Sequence, residues 1–234
     1  MSSPMPDRPA QGAVEGRTLG REDIARLAAS DAPGHLIDCD LDEADLGGLD
    51  LSGWIFERCS VRRADFARSR LEGVRWLSCR GAFASFVGAD LTDAAFVSSD
   101  FNNAVLRHAT LASAQFSGCK LTGADLSEVR AMEFGFEETL LINAKLPSWS
   151  FRKQRLRKLD FGQADLRKCD FRDAVFEECS LRDANMAGSR FEGADLRGAD
   201  LGGLRLIDAG LFRGATVSRE QAGQLLAELG LNVR

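Results

Sequence analysis

The side chains best suited to covalent or metal chemistry are few. Six cysteines (Cys39, Cys59, Cys79, Cys119, Cys169 and Cys179) and two histidines (His35 and His108) supply every thiol and imidazole, and tyrosine is absent. Five of the cysteines, all but Cys169, differ by multiples of 20, so a fold repeating every 20 residues would stack them. Such a ladder could bind a soft metal or form disulfides. No Cys-x-x-Cys pair accompanies it, and a free thiol also serves as a small buried hydrophobe. We read the six as structural, with no metal and no cofactor. Ser-His-Asp arrangements, Walker loops and zinc spacings are missing, and His108 reads as a solvated surface side chain. So thin a stock of acid–base groups argues against hydrolase or transferase chemistry, and no enzyme is expected.

Charge is the chemistry that remains. The chain has 30 Lys+Arg against 35 Asp+Glu, a net charge of −5. Residues 36–57 hold seven acids and no base, whereas residues 152–172 hold eight bases against three acids. We take Asp38, Asp42, Glu43, Asp93, Glu128, Glu133, Glu137 and Glu138 as a candidate acidic contact surface. The basic residues Arg152, Lys153, Arg155, Arg157, Lys158, Arg167, Lys168 and Arg172 are expected to form a belt. Summed more widely, residues 36–145 carry −6 and residues 146–211 carry +1. Leu77, Phe83, Val97, Met132 and Ile142 are apolar residues expected to face outward.

The elements that position these groups follow from a repeat. Every fifth residue from Leu41 to Leu211 is large and apolar at 33 of 35 positions, Gly81 and Ala131 being the exceptions. The register never slips. Two residues earlier runs a small column, mostly alanine, which also holds all six cysteines. Aspartate often precedes the large residue, as in Asp45, Asp65, Asp90 and Asp125. A period of five suits neither an α-helix nor a flat strand. It suits a solenoid in which each unit forms one side of a coil and a tight turn. The glycines two after the apolar centre, such as Gly48 and Gly123, then serve corners where φ is positive.

GADLT (88–92), GADLS (123–127) and GADLRGADLGG (193–203) resemble the pentapeptide-repeat family closely. The resemblance implies an all-β solenoid, a right-handed quadrilateral β-helix with four pentads per coil and short terminal α-helical caps. Residues 20 apart then stack, so Phe56, Trp76, Phe96, Phe116, Phe136, Leu156, Phe176 and Leu196 form a packing ladder. Pro147, with bulky Trp149, Gln154 and Leu159 in the small column, should distort one coil.

Three segments are expected. Residues 1–35 comprise a disordered leader, through about residue 17, and a capping helix with Ile24, Leu27 and Ala28 on one face. Residues 36–216 form the β-helix. Residues 217–234 form a C-terminal helix begun by a Ser218–Gln221 capping box and ended by Gly230. Its stripe Leu225, Leu226, Leu229 and Leu231 either folds back over the last coil or joins a second copy.

GATVSREQAGQLLAELGLNV resembles the ending of the quinolone-resistance branch of the family, the Qnr and MfpA proteins. That resemblance implies a DNA-mimicking rod that occupies the DNA-binding saddle of DNA gyrase or topoisomerase IV, counters quinolone-type inhibitors and dimerises through its C-terminal helix. Loops that project from many Qnr proteins have no counterpart in this unbroken register. The alternative is a general scaffold or effector with another protein partner. Direct nucleic-acid binding is not expected, because the belt lacks interleaved aromatics and the chain is acidic. No apolar run reaches the roughly 18 residues of a membrane span, and the N-terminus lacks a signal-peptide core, so a cytoplasmic location is expected.

Overall fold

A computed structural model of the chain describes residues 12–30, 32–203, 210–228 and 230–232. The pentads close into a β-helix whose coils stack in a 20-residue register; the expectation that this register never slips fails at the last turn, where Asp195 pairs with Thr216 and the Leu196 N–H donates to the Thr216 carbonyl, one residue out of step. One side of each coil is a three-residue strand. These are β2 (His35–Ile37), β3 (Ile55–Glu57), β4 (Arg75–Leu77), β5 (Ala95–Val97), β6 (Gln115–Ser117), β7 (Gly135–Glu137), β8 (Arg155–Arg157) and β9 (Val175–Glu177). With β1 (Val14–Glu15) they form one parallel nine-stranded sheet in chain order. Leu36 pairs with Phe56, Phe56 with Trp76 and Trp76 with Phe96. The other three sides pair mostly through single parallel bridges, such as Asp40–Ser60, Asp45–Asp65 and Asp50–Arg70, with a two-residue ladder of Cys179–Ser180 on Ala199–Asp200. At about 4.8 Å per coil the stack is roughly 40 Å long.

Each position of the pentad has a physical task. The large residue fills the lumen: Leu41, Leu46, Leu51 and Phe56 are all buried. The small residue lets the chain turn, as where the Ala64 N–H donates to the Val61 carbonyl at 3.2 Å. The aspartate before the centre faces outward, and its Oδ1 accepts the N–H two residues on. Asp65 takes the Ala67 N–H at 2.9 Å, and Asp90 takes the Thr92 N–H at 3.1 Å. These side-chain turns are the reason for the Ala-Asp-Leu signature. Rings 20 residues apart stack in the lumen, Phe56 on Trp76 at 4.2 Å and Phe96 on Phe116 at 4.6 Å.

The exceptions to the pattern are size exchanges. A Cβ at Gly81 would overlap the ring of Phe101, one coil later, which already fills that space. Beside Ala131 the lumen is filled by Phe134 and Trp149, both buried in the small column, with ring centroids 4.6 Å apart. Trp149 Nε1 donates to the Leu126 carbonyl at 3.0 Å. The expected distortion falls here: β7 and β8 retain one paired position, Glu137–Arg157, where most neighbouring coils keep three. A cleft of about 220 Å³ opens between the coils, lined by Val129, Ala131, Phe134, Pro147 and Trp149 among others.

Both ends are capped. The structure differs from the expected disordered leader over residues 14–19, which add a partial coil. Val14 pairs with Leu36 and Glu15 with Ile37, and the Leu19 N–H donates to the Asp40 carbonyl at 2.8 Å. The earlier part of the leader, residues 1–11, lies outside the described residues. Helix α1 (Arg21–Ala28) then closes the lumen with buried Ile24 and with Leu27 and Ala28. Arg21 ties it to the Asp45 and Gly47 carbonyls at 3.0 Å. At the far end, α2 (Arg219–Glu228) follows the expected capping box: the Ser218 N–H donates to Gln221 Oε1, and the Gln221 N–H to Ser218 Oγ. Gln221 Nε2 donates to the Leu196 and Ala199 carbonyls, both at 2.6 Å, fastening α2 to the coils below.

Candidate functional site

Three positions of each pentad face outward, so the surface is a lattice of four sides with side chains repeating every coil. The eight acidic candidates are spread over all four sides. Asp38, Glu137 and Glu138 lie on the strand side, and Asp42 and Glu43 on the side centred on Leu41. Glu128 lies on the side centred on Leu126, and Asp93 and Glu133 on the side of Leu91 and Ala131. The 20-residue register sets four of the eight beside a base of the next coil and Glu128 beside two groups of the previous one. Arg58 grips Asp38 through two hydrogen bonds of 2.8 and 2.9 Å. Arg62 meets Asp42 at 2.6 Å, Arg157 meets Glu137 at 2.7 Å and Lys158 meets Glu138 at 2.8 Å. Glu128 has His108 Nδ1 at 3.4 Å and Arg107 at 3.9 Å. Glu43, Asp93 and Glu133 form no ion pair among the described residues.

The basic belt is mostly neutralised too, partly between coils and partly within single pentads. Its residues occupy three sides, and the fourth carries Asp160, Gly162 and Gln163 at that height. Arg152 meets Asp173 at 3.8 Å, Arg167 meets Asp165 at 2.7 Å and Arg172 meets Asp170 at 2.5 Å. Arg155 pairs with Glu177. Lys153 and Lys168 form no ion pair among the described residues. The guanidinium of Arg58 holds the Asp38 carboxyl below the usual carboxylate range, and the Lys158 ammonium does the same for Glu138. Arg167 and Arg172 depress Asp165 and Asp170 likewise. Opposite charges therefore meet both across neighbouring coils, as at Asp38–Arg58, and within one pentad, as at Asp165–Arg167.

Sequence averaging hid a second cationic coil. Arg58, Arg62, Arg63, Arg68, Arg70, Arg75 and Arg80 follow directly on the seven acids of residues 36–57. Pairing with Asp38, Asp42 and Asp50 occupies Arg58, Arg62 and Arg70. Arg63, Arg68, Arg75 and Arg80 form no ion pair among the described residues. Counting charge in 20-residue windows would have found this coil.

All six cysteines are buried and free. Those of the stacked column have a task that spacing alone did not disclose. Cys79 Sγ donates to the Phe56 carbonyl and Cys119 Sγ to the Phe96 carbonyl, both at 3.2 Å. Ser99 Oγ and Thr139 Oγ1 do the same for Trp76 and Phe116. Burial pushes the Cys119 thiol up to about 11 and the Cys169 thiol up to about 12, far from a reactive thiolate at neutral pH. Among the described residues no group of three or more His, Cys, Asp or Glu side chains could hold a metal ion.

Of the proposed dimer stripe, Leu225 packs against the core, while Leu226 and Leu231 are 40% and 55% exposed. Leu229 lies outside the described residues. Phe83, Val97 and Met132 face solvent as expected, whereas Leu77 and Ile142 are half-buried. No described helix is long and apolar enough to cross a membrane.

Solved structures share this architecture. A trypsin-treated QnrB1, described as a plasmid-mediated fluoroquinolone resistance protein, is 20% identical, with a TM-score of 0.66 over 95% of this chain and 100% of that one. HetL, described as a pentapeptide repeat protein involved in heterocyst differentiation regulation in the cyanobacterium Nostoc, is 22% identical, with a TM-score of 0.50 over 80% of this chain and 86% of its own. No curated protein matches the sequence. Pentapeptide repeats are matched over residues 35–73, 89–128 and 136–173, and by a second profile over residues 160–200. These are the segments whose five-residue units build the 20-residue coil, and the chain belongs to the pentapeptide-repeat family.

Proposed function

We infer that this chain is a non-enzymatic protein-interaction rod. The observation that carries the reading is the 20-residue register held from Leu36 to Asp200, which fixes outward side chains on a lattice about 4.8 Å apart along the rod. A surface so pre-organised loses little conformational freedom on binding.

The finer reading is a DNA-mimicking modulator of DNA gyrase or topoisomerase IV that protects against quinolone-type inhibitors. Its support is the Qnr-like C-terminal segment and the end-to-end match with QnrB1. The paired carboxylates set a condition on it. Arg58, Arg62, Arg157 and Lys158 must yield to cations of the partner. Exposed ion pairs contribute only about 0–1 kcal/mol each, so that exchange is affordable. Glu43, Asp93 and Glu133 need no such exchange. Immobilised full-length rod should capture purified gyrase, and duplex DNA should compete. Capture that duplex DNA leaves unchanged would keep a protein-binding rod and remove mimicry.

The same reading places the protein in the cytoplasm as a homodimer joined through α2. Leu226→Glu with Leu231→Glu should then lower the mass measured by light scattering from dimer to monomer. A wild-type monomer would leave α2 as an end cap alone.

A further inference from the structure

One side chain breaks the chemical logic of the repeat. From Asp38 to Gly193 the corner residue two after each centre has positive φ, a conformation costly for any residue with a Cβ. Among the described non-glycine residues there, Phe83, at φ 63, is the only apolar one. Its ring is 54% exposed, while the other described phenylalanines lie in the lumen or pack against it. Neither turn nor core requires it, since glycine serves the same corner at Gly48, Gly88 and Gly123.

Its surroundings are cationic. The Arg63 guanidinium, at the same corner one coil earlier, lies 5.4 Å from the ring centroid. Arg80 precedes Phe83 on the same side, and Arg68 stands at the next corner of Arg63's coil. All three are exposed and form no ion pair among the described residues. Two nearby carboxylates, Asp65 and Asp100, are engaged by the N–H groups of Ala67 and Asn102. An exposed ring with a guanidinium against it and two more unpaired arginines at neighbouring lattice positions is the composition of an interface anchor.

We propose that Phe83, with Arg63, Arg68 and Arg80, is the docking site for an acidic protein segment that presents an apolar side chain. The proposal rests on the protein-interaction reading and names the partner's chemistry. A polynucleotide also pairs with cations and stacks on rings, but the surroundings disfavour it. Glu43 stands two coils before Phe83 in the same corner column, in a coil of seven acids. A phosphate strand running along the rod would meet those carboxylates, whereas a peptide lying across one coil would not.

The test is selection of displayed random peptides on the full-length protein, followed by anisotropy titrations against wild type, Phe83→Gly and the double variant Arg63→Gln/Arg80→Gln. Selected peptides should pair Asp or Glu with an aromatic or large aliphatic residue. Their affinity should fall at least about tenfold in both variants. Phe83→Gly should melt no lower than wild type, because glycine accepts the corner φ. Peptides that bind Phe83→Gly as tightly as wild type overturn this site and leave the rod a protein binder. Failure to enrich any peptide overturns the site and counts against the broader reading as well. An oligothymidylate that displaces the peptides and itself needs Phe83 would reassign the site to single-stranded nucleic acid.

Discussion

At the scale of single residues, the pentad divides its labour so strictly that many charged groups have no freedom to act elsewhere. Asp45, Asp90 and Asp165 each accept the N–H two residues on, so they are turn-formers before they are surface charges. The stacked cysteines are donors to lumen-edge carbonyls. Cys119→Ala should therefore cost about 1 kcal/mol in denaturant unfolding, because the thiol adds a second donor to the Phe96 carbonyl beside the strand ladder. Cys119→Ser should cost less, as Ser99 already fills this role one coil earlier. Equal losses for the two variants would refute the hydrogen-bonding role. With its thiol pushed up to about 11, Cys119 should alkylate slowly in the native protein and rapidly in denaturant. The inward placement of the cysteines was legible in the five-residue period. Their bonding was not, because donor and acceptor are 23 residues apart and only the closed coil joins them.

At the scale of elements, the lumen behaves as a set of volume exchanges between coils. Gly81→Ala should destabilise by about 1–3 kcal/mol, since its Cβ would meet the Phe101 ring, and Phe101→Leu should recover part of the loss. Additive effects in that double variant would mean the two sites do not share space. Gln221→Ala should cost about 1–3 kcal/mol and fray α2 first, because the Ala199 carbonyl loses the Gln221 amide and the Leu196 carbonyl keeps only the Ala199 N–H. Unchanged hydrogen exchange in α2 would contradict that. Both helices, the Ser218–Gln221 cap of α2 and the disturbed coil at Pro147 could be read from local signals. The partial coil at residues 14–19 could not. Its partners lie 22 residues away, beyond an intervening helix, and Val14-Glu15 carries no repeat signature of its own. Nor did the bulky Trp149 announce that it compensates for Ala131, a pairing visible only once the coils are stacked.

At the scale of the whole molecule, charge is arranged between coils rather than between halves. The sequence totals, −6 and +1, suggested an acidic half and a basic belt. The stacking register instead sets Asp38 on Arg58 and Glu138 on Lys158, and scatters the acidic candidates over four sides. Acid sensitivity follows. Asp38, Glu138, Asp165, Asp170 and Asp195 are held below their ordinary values, so the folded state binds fewer protons than the unfolded one near pH 4. Their stabilisation is complete above the unfolded carboxylate values, about pH 4, and is lost as pH falls through the depressed folded values. The melting temperature should stay level from about pH 8 to 5 and drop below about pH 4. A drop already at pH 6 would contradict this assignment to the carboxylates. The most direct test of the functional reading is gyrase supercoiling and quinolone-induced cleavage, measured with increasing amounts of the full-length protein. The account expects loss of supercoiling, or rescue from drug-stabilised cleavage, at micromolar protein or below. No effect on either reaction at tens of micromolar protein would contradict it.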